Sequence, residues 1–213
     1  MNTDDLVAML AAGAGPVEPH AVARRHATAI GLGALGALLL MFGLLGLRPD
    51  FAARAMLPMF WVKLAFVAWL AAVGVAALVR VSRPGVRLGW LPVALVVPVL
   101  GMWLLAVVVL ASAESGHKSD LLFGQTWTSC PLLVALHAVP VFIAVIWAMR
   151  GLAPTQLGLA GAVAGFVSGS VGALAYSLHC PELAAPFLGT WYLLGILIPT
   201  AVGAILGPRL LRW

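Results

Sequence analysis

Two cysteines, Cys130 and Cys180, are the only thiols in the chain, and each is followed directly by proline, in Ser129-Cys130-Pro131 and His179-Cys180-Pro181. A thiol pair can close a disulfide, hold a soft metal or react with an oxidant, and the thiolate is the reacting form in each case. Proline suits the first turn of a helix, so Cys130 is expected at or beside the cap of a helix that Pro131 opens. Cys180 is expected to lead into a short surface helix through Pro181-Glu182-Leu183-Ala184. Placement at a helix N-terminus favours thiolate. His179 adjoins Cys180, and His137 lies seven residues after Cys130 on the same helix face. With Glu182 these make a candidate metal set of Cys130, Cys180, His179, His137 and Glu182. No CxxC, HxxxH or HxxxC spacing is present to chelate locally, which speaks against a metal centre. The missing CxxC speaks equally against a thiol oxidoreductase. The residues alone leave four readings open: a structural disulfide, a redox switch, metal ligation, or two inert thiols. A structural bond would close a fifty-residue loop, a contribution of about 3–4 kcal/mol in the chain-entropy model.

The elements that must position these thiols are membrane spans. Of 213 residues, 63% are hydrophobic and only 9% charged, against about 25% charged in a soluble domain. Crossing roughly 30 Å of hydrocarbon takes about 20 apolar residues. Six runs are long enough, near 28–47, 58–79, 90–111, 131–149, 154–176 and 188–208. The expected fold class is therefore all-α, a polytopic six-helix transmembrane bundle. Residues 1–27 hold Asp4, Asp5, Glu18, Pro16 and Pro19 and no signal-type apolar run.

Basic residues set the orientation. Arg24, Arg25, Arg80, Arg83, Arg87, Arg150, Arg209 and Arg212 fall on one side, eight in all, against Arg48, Arg54 and Lys118 on the other. Both termini are thus expected in the cytoplasm and both cysteines outside, where disulfides persist. The division is a cytoplasmic head, residues 1–27, and a six-span domain, residues 28–213.

In the head, Thr3 is expected to cap a helix whose first turn carries Asp4 and Asp5. Leu6, Val7, Met9 and Leu10 give it an apolar stripe before Gly13, Gly15 and Pro16 stop it. A second short segment runs from Val17 to His26. So small a head has no core of its own, and its apolar stripe needs a surface. With three acids and no lysine it suits a protein groove better than lipid.

Within the spans, Gly161, Gly165 and Gly169 repeat at four-residue spacing, which favours close helix packing inside the bundle. Pro92, Pro98, Pro140 and Pro199 mark kinks or first turns. Trp61, Trp90, Trp127, Trp191, Tyr192 and Trp213 read as an interfacial belt. Lys63, the one basic residue inside a span, is expected to snorkel outward or to pair with Glu114, Asp120 or Glu182. No span has a charge near its middle, which argues against an ion-coupled transporter. None of the seven acids lies in a span, so a Ser/His/Asp site finds no support.

Over its whole length the chain resembles the NrsF family of bacterial inner-membrane anti-sigma factors, regulators of extracytoplasmic-function sigma factors. The resemblance rests on the short head (Thr3-Asp4-Asp5-Leu6, Pro16-Val17), six spans and one cysteine in each of the last two outer loops. It is most specific in His179-Cys180-Pro181-Glu182, Pro186-Phe187, Trp191-Tyr192 and Gly207-Pro208-Arg209-Leu210-Leu211-Arg212-Trp213. It implies a multi-pass protein of the bacterial inner membrane, with no enzyme activity, no cofactor and no direct contact with nucleic acid; homo-oligomerisation is left open. The implied partners are the lipid bilayer and a sigma factor, held by Leu6, Val7 and Leu10, with Asp4, Asp5, Arg24 and Arg25 as rim charges. Cys130 and Cys180 would sense oxidant or heavy-metal stress and release the sigma factor. The HxxxCxxC of zinc-binding anti-sigma factors is absent here. The competing reading is a membrane thiol-disulfide oxidoreductase using the Cys130/Cys180 pair.

Overall fold

The structure, a computed structural model, describes residues 2–12, 20–83, 85, 87–152 and 154–212. Among these, every regular element is helical. The order is α1 (Thr3–Ala12), α2 (Ala21–Leu40, continued by a π turn to Leu45), α3 (Phe51–Ala55), α4 (Pro58–Val81), α5 (Leu91–Ser112) and α6 (Lys118–Phe123). After these come α7 (Cys130–Arg150), α8 (Leu157–Ser177), α9 (Ala185–Phe187, followed by a π turn) and α10 (Leu193–Leu210). Six stretches are long and apolar enough to cross a membrane: Ala21–Leu45, Pro58–Val81, Leu91–Ser112, Cys130–Arg150, Leu157–Ser177 and Ala185–Leu210.

These match the six expected spans, with two shifts. The first begins at Ala21, so Arg24 and Arg25, expected in a short segment running into the span, stand in the opening turns of α2 itself. In α1 the cap is Asn2, not Thr3. The Asn2 side-chain oxygen accepts the Thr3 N–H at 2.9 Å, and the Asp5 carboxylate reaches back to the Asn2 N–H at 3.4 Å. The expected helix stop at Gly13, Gly15 and Pro16, the start of the second segment at Val17 and the Trp213 belt position lie outside the described residues.

α8 is the central pillar, packed by α10, α7 and α4, while α2 leans on α7 and α5 lies at the periphery. Its glycines explain the position. A Cβ at Gly161 or Gly165 would run into the carbonyl oxygens of Gly203 and Pro199 on α10, and one at Gly172 would lie 2.6 Å from the Ala138 nitrogen on α7. The stripe therefore serves packing within the bundle, as its spacing suggests. Ser168 and Ser177 spend their hydroxyls on carbonyls four residues back, which satisfies them in an apolar interior.

Arg25 donates to the Trp147 carbonyl and stacks over the Trp147 ring, His26 meets Ser82, and Arg150 donates to the Leu210 carbonyl. These contacts gather the start of α2 and the ends of α4, α7 and α10 at one end of the bundle. The two cysteines lie towards the opposite end.

Candidate functional site: a buried dithiol under a lysine

Cys130 is the first residue of α7, with Ser129 at the cap and Pro131 in the first turn. Its position agrees with the motif. Cys180 does not: residues 180–184 form no helix, and the next one starts only at Ala185. The irregular backbone leaves the Cys180 and Glu182 carbonyls without helical partners, and Lys63 of α4 takes both. Its ammonium donates to the Cys180 oxygen at 3.1 Å and the Glu182 oxygen at 3.2 Å, and sits 5.0 Å from the centre of the Tyr192 ring.

Lys63 is thus neither snorkelled nor paired with an outer carboxylate; it is wholly enclosed (0% exposed). The snorkelling expectation failed because Tyr192, in the π turn before α10, supplies an aromatic face and the 180–184 loop supplies acceptors, both nearer than water. Tyr192 likewise leaves the expected belt and is fully buried, whereas Trp61, Trp90 and Trp127 remain exposed as a belt requires.

Cys130 and Cys180 are both free, both buried and side by side. They share one apolar cluster with Phe66, Val67, Tyr176, Phe187 and Tyr192. Burial opposes ionisation of Cys180, but the Cys130 S–H donated to it and the nearby Lys63 ammonium more than offset that, and its pKa falls to about 5. A sulfur biased towards thiolate therefore sits beside a second thiol inside the protein.

Three layers cover the pair. His179 donates from Nδ1 to the Gly46 carbonyl at 3.0 Å, and Arg54 donates to the Pro181 carbonyl. Asp50 holds Arg54 and Arg48 in place, each at 2.7 Å, and those guanidiniums keep its carboxyl well below the usual carboxylate range. On the other flank the Glu182 carboxylate accepts the Gln125 N–H at 2.8 Å. Gly124, at φ +54°, makes that approach available, since a Cβ there would lie 2.6 Å from the same carboxylate. Trp191 donates to the Leu122 carbonyl at 2.8 Å and packs on Trp127, closing the top.

The other candidate ligands are dispersed. His137 donates from Nδ1 to the Leu133 carbonyl at 2.6 Å, His179 is committed to Gly46, and Glu182 to the Gln125 turn. Among the described residues no three His, Cys, Asp or Glu side chains gather into a metal-holding group.

The head candidates are placed differently. Every described residue of α1 is exposed, including Asp4 and Asp5, and Leu6, Val7, Met9 and Leu10 present apolar surface. Arg24 is exposed, and Arg25 donates to the Trp147 carbonyl and stacks over its ring. Sequence reasoning missed the roles of Lys63 and Tyr192 in the dithiol site and the buried His26–Ser82 contact. Only Lys63 carried a signal, as the one basic residue inside a span.

Fold and site together define a class: an all-helical protein with six helices long and apolar enough to cross a membrane, two buried thiols side by side, and an exposed apolar helix near its N-terminus. The chain belongs to the NrsF family, negative regulators of sigma F, whose model matches residues 10–213. It is 56% identical over its full length to the probable anti-sigma-F factor NrsF of Azospira oryzae, and 42% identical to the anti-sigma-F factor NrsF of Caulobacter vibrioides. Each of these relatives is also covered over its whole length. They are named as regulators and not enzymes, which sets the oxidoreductase reading aside. No solved structure matches the chain.

Proposed function

We propose that this protein holds an extracytoplasmic-function sigma factor at the bacterial inner membrane and releases it when the Cys130–Cys180 pair reacts. The observation that carries the reading is the contact between the two thiols beside Lys63. A lone buried thiol would be inert, but a depressed thiolate touching a second thiol is set up for disulfide formation.

With a peroxide as two-electron oxidant, the Cys180 thiolate takes one peroxide oxygen as sulfenic acid and hydroxide leaves. The Cys130 sulfur then attacks the Cys180 sulfur, the disulfide forms, and water departs with the Cys130 proton. A soft metal ion bridging both thiolates would withdraw the same charge. The head supplies the other half of the reading: Leu6, Val7 and Leu10 on an exposed helix fit an apolar groove of the sigma factor, with Asp4, Asp5, Arg24 and Arg25 at its rim. The positive side then faces the cytoplasm, with residues 1–27 as the head and 28–213 as the sensor.

Cys130→Ser and Cys180→Ser, tested in cells exposed to oxidant and to heavy metal, are each expected to abolish sigma-factor release. Normal release in both variants would defeat the sensor reading.

A further inference from the structure

We propose that Lys63 converts the redox state of the Cys130–Cys180 pair into a shift of α4, which Ser82 and His26 pass to α2 and the head. The inference rests on the sensor reading above.

A wholly enclosed ammonium needs an anion, because carbonyl oxygens and a ring face supply only partial charge. Among the described residues no carboxylate lies within ion-pair distance of Lys63. The acidic groups beside it are the thiol of Cys180, whose own carbonyl it holds, the Cys130 thiol next to that, and the Glu182 carboxylate, whose backbone carbonyl it also holds. The thiolate shared by the dithiol is therefore its counter-charge. Disulfide formation abolishes that charge: one thiolate and one thiol become a neutral S–S bond, with two electrons passed to the peroxide. The Glu182 carboxylate, committed to the Gln125 N–H, is then the acid left near a cation otherwise held by two carbonyls and the Tyr192 ring and shut away from water.

Lys63 has a short way out. It lies five residues from Pro58, the first residue of α4, which is about 7–8 Å at 1.5 Å per residue. Movement of its side chain to the outer surface gives up the bonds to the Cys180 and Glu182 carbonyls and unpins α4 from the 180–184 loop. From Lys63 to Val81 the helix has no interior proline, unlike α5, α7 and α10, which carry Pro98, Pro140 and Pro199. It is a continuous rod of about 27 Å.

At the far end of α4 stands Ser82, its hydroxyl donating to the Leu78 carbonyl at 2.7 Å. That proton is spent, so His26 Nε2–H is the donor in the 3.0 Å contact to Ser82 Oγ. Both residues are buried. His26 sits on α2, five residues after its start, and the chain leads from there directly back to the head. A change at spans four and five thus reaches the head through α4, touching each element once.

The chain provides its own control, since Lys63 and Lys118 are its only lysines and Lys118 is exposed on the outer side. Membranes carrying the full chain with its co-expressed sigma factor are treated with peroxide, then with a water-soluble amine-reactive ester, and both lysines are read by peptide mass spectrometry. Before oxidation Lys118 is expected to be labelled and Lys63 not; after disulfide formation Lys63 is expected to approach the labelling of Lys118. In Lys63→Met the disulfide is expected to form under longer exposure while the sigma factor stays bound, and Lys63→Arg is expected to restore release.

A disulfide and a released sigma factor with Lys63 still unlabelled would overturn the proposal, as would normal release from Lys63→Met. Absence of the disulfide, or retention of the sigma factor, in the oxidised wild type would instead overturn the sensor reading and the proposal with it. The labelling arm needs no variant, so poor folding of a Lys63 variant does not shield the proposal.

Discussion

The Lys63 ammonium donates to the Cys180 carbonyl oxygen across 3.1 Å, joining the second span to the loop that follows the fifth. Because Cys180 also touches Cys130 at the start of the fourth span, two spans and the loop after the fifth meet at one charged point inside an apolar cluster. A buried cation and a buried thiolate are each expensive alone and tolerable together, so the chemistry of the sulfur and the packing of α4 are bound to each other.

Titration of Cys180 follows from that arrangement. Its pKa of about 5 lies below the ordinary thiol value of about 8.5, so thiolate dominates from neutral pH down towards 5 and is lost below. Alkylation by a small membrane-permeant reagent, followed by mass spectrometry across pH, is expected to stay flat over that range. In Lys63→Met the fall moves to higher pH, because the offsetting charge is gone while burial remains. A wild-type rate already falling just below pH 8.5 would contradict the assigned environment.

The α8–α10 contact should tolerate no side chain. In Gly165→Ala the new Cβ meets the Pro199 backbone, and overpacking of this kind costs about 1–3 kcal/mol. The thermal midpoint in detergent is expected to drop. Gly31→Ala, with nothing within 4 Å of the added carbon, should leave it unchanged or raise it, since alanine is the better helix former.

Asp50→Asn removes the negative charge and one of the two acceptor oxygens that orient Arg48 and Arg54. Arg54 then loses its hold over the Pro181 carbonyl, and alkylation of Cys180 is expected to speed up. The depressed pKa of Asp50 means that the ion pairs persist above the ordinary carboxylate range and through it, and are lost only in stronger acid. Wild-type cover should therefore be unchanged between neutral pH and mild acid. An unaltered rate in Asp50→Asn would show that the layer does not gate access.

At the head, Leu6→Asp combined with Leu10→Asp places two charges on the exposed apolar face of α1. Co-purification of the sigma factor is expected to be lost while the membrane domain keeps its thermal midpoint. Retention would move the contact elsewhere on the chain.

Much of this was legible in the sequence. Six apolar runs of adequate length gave the spans, and Gly161, Gly165 and Gly169 gave the close packing, because membrane length and helix periodicity act locally along the chain. What was not legible depended on elements far apart. The sequence around Lys63 resembles that of any snorkelling lysine, and only Tyr192 and the 180–184 carbonyls turn it inward. The Cys180-Pro181 step reads as a helix start, yet the covering loops keep that segment irregular. His26 and Ser82 lie 56 residues apart, and nothing local to either announces the other.

The most direct test of the sensor is thiol trapping on membranes before and after oxidant or heavy-metal exposure, with mass spectrometry of the Cys130 and Cys180 peptides and parallel detection of the co-purifying sigma factor. The expected result is a pair that is free and sigma-bound at rest, and disulfide-bonded or metal-blocked as the sigma factor leaves. Release of the sigma factor with both thiols unchanged would contradict it.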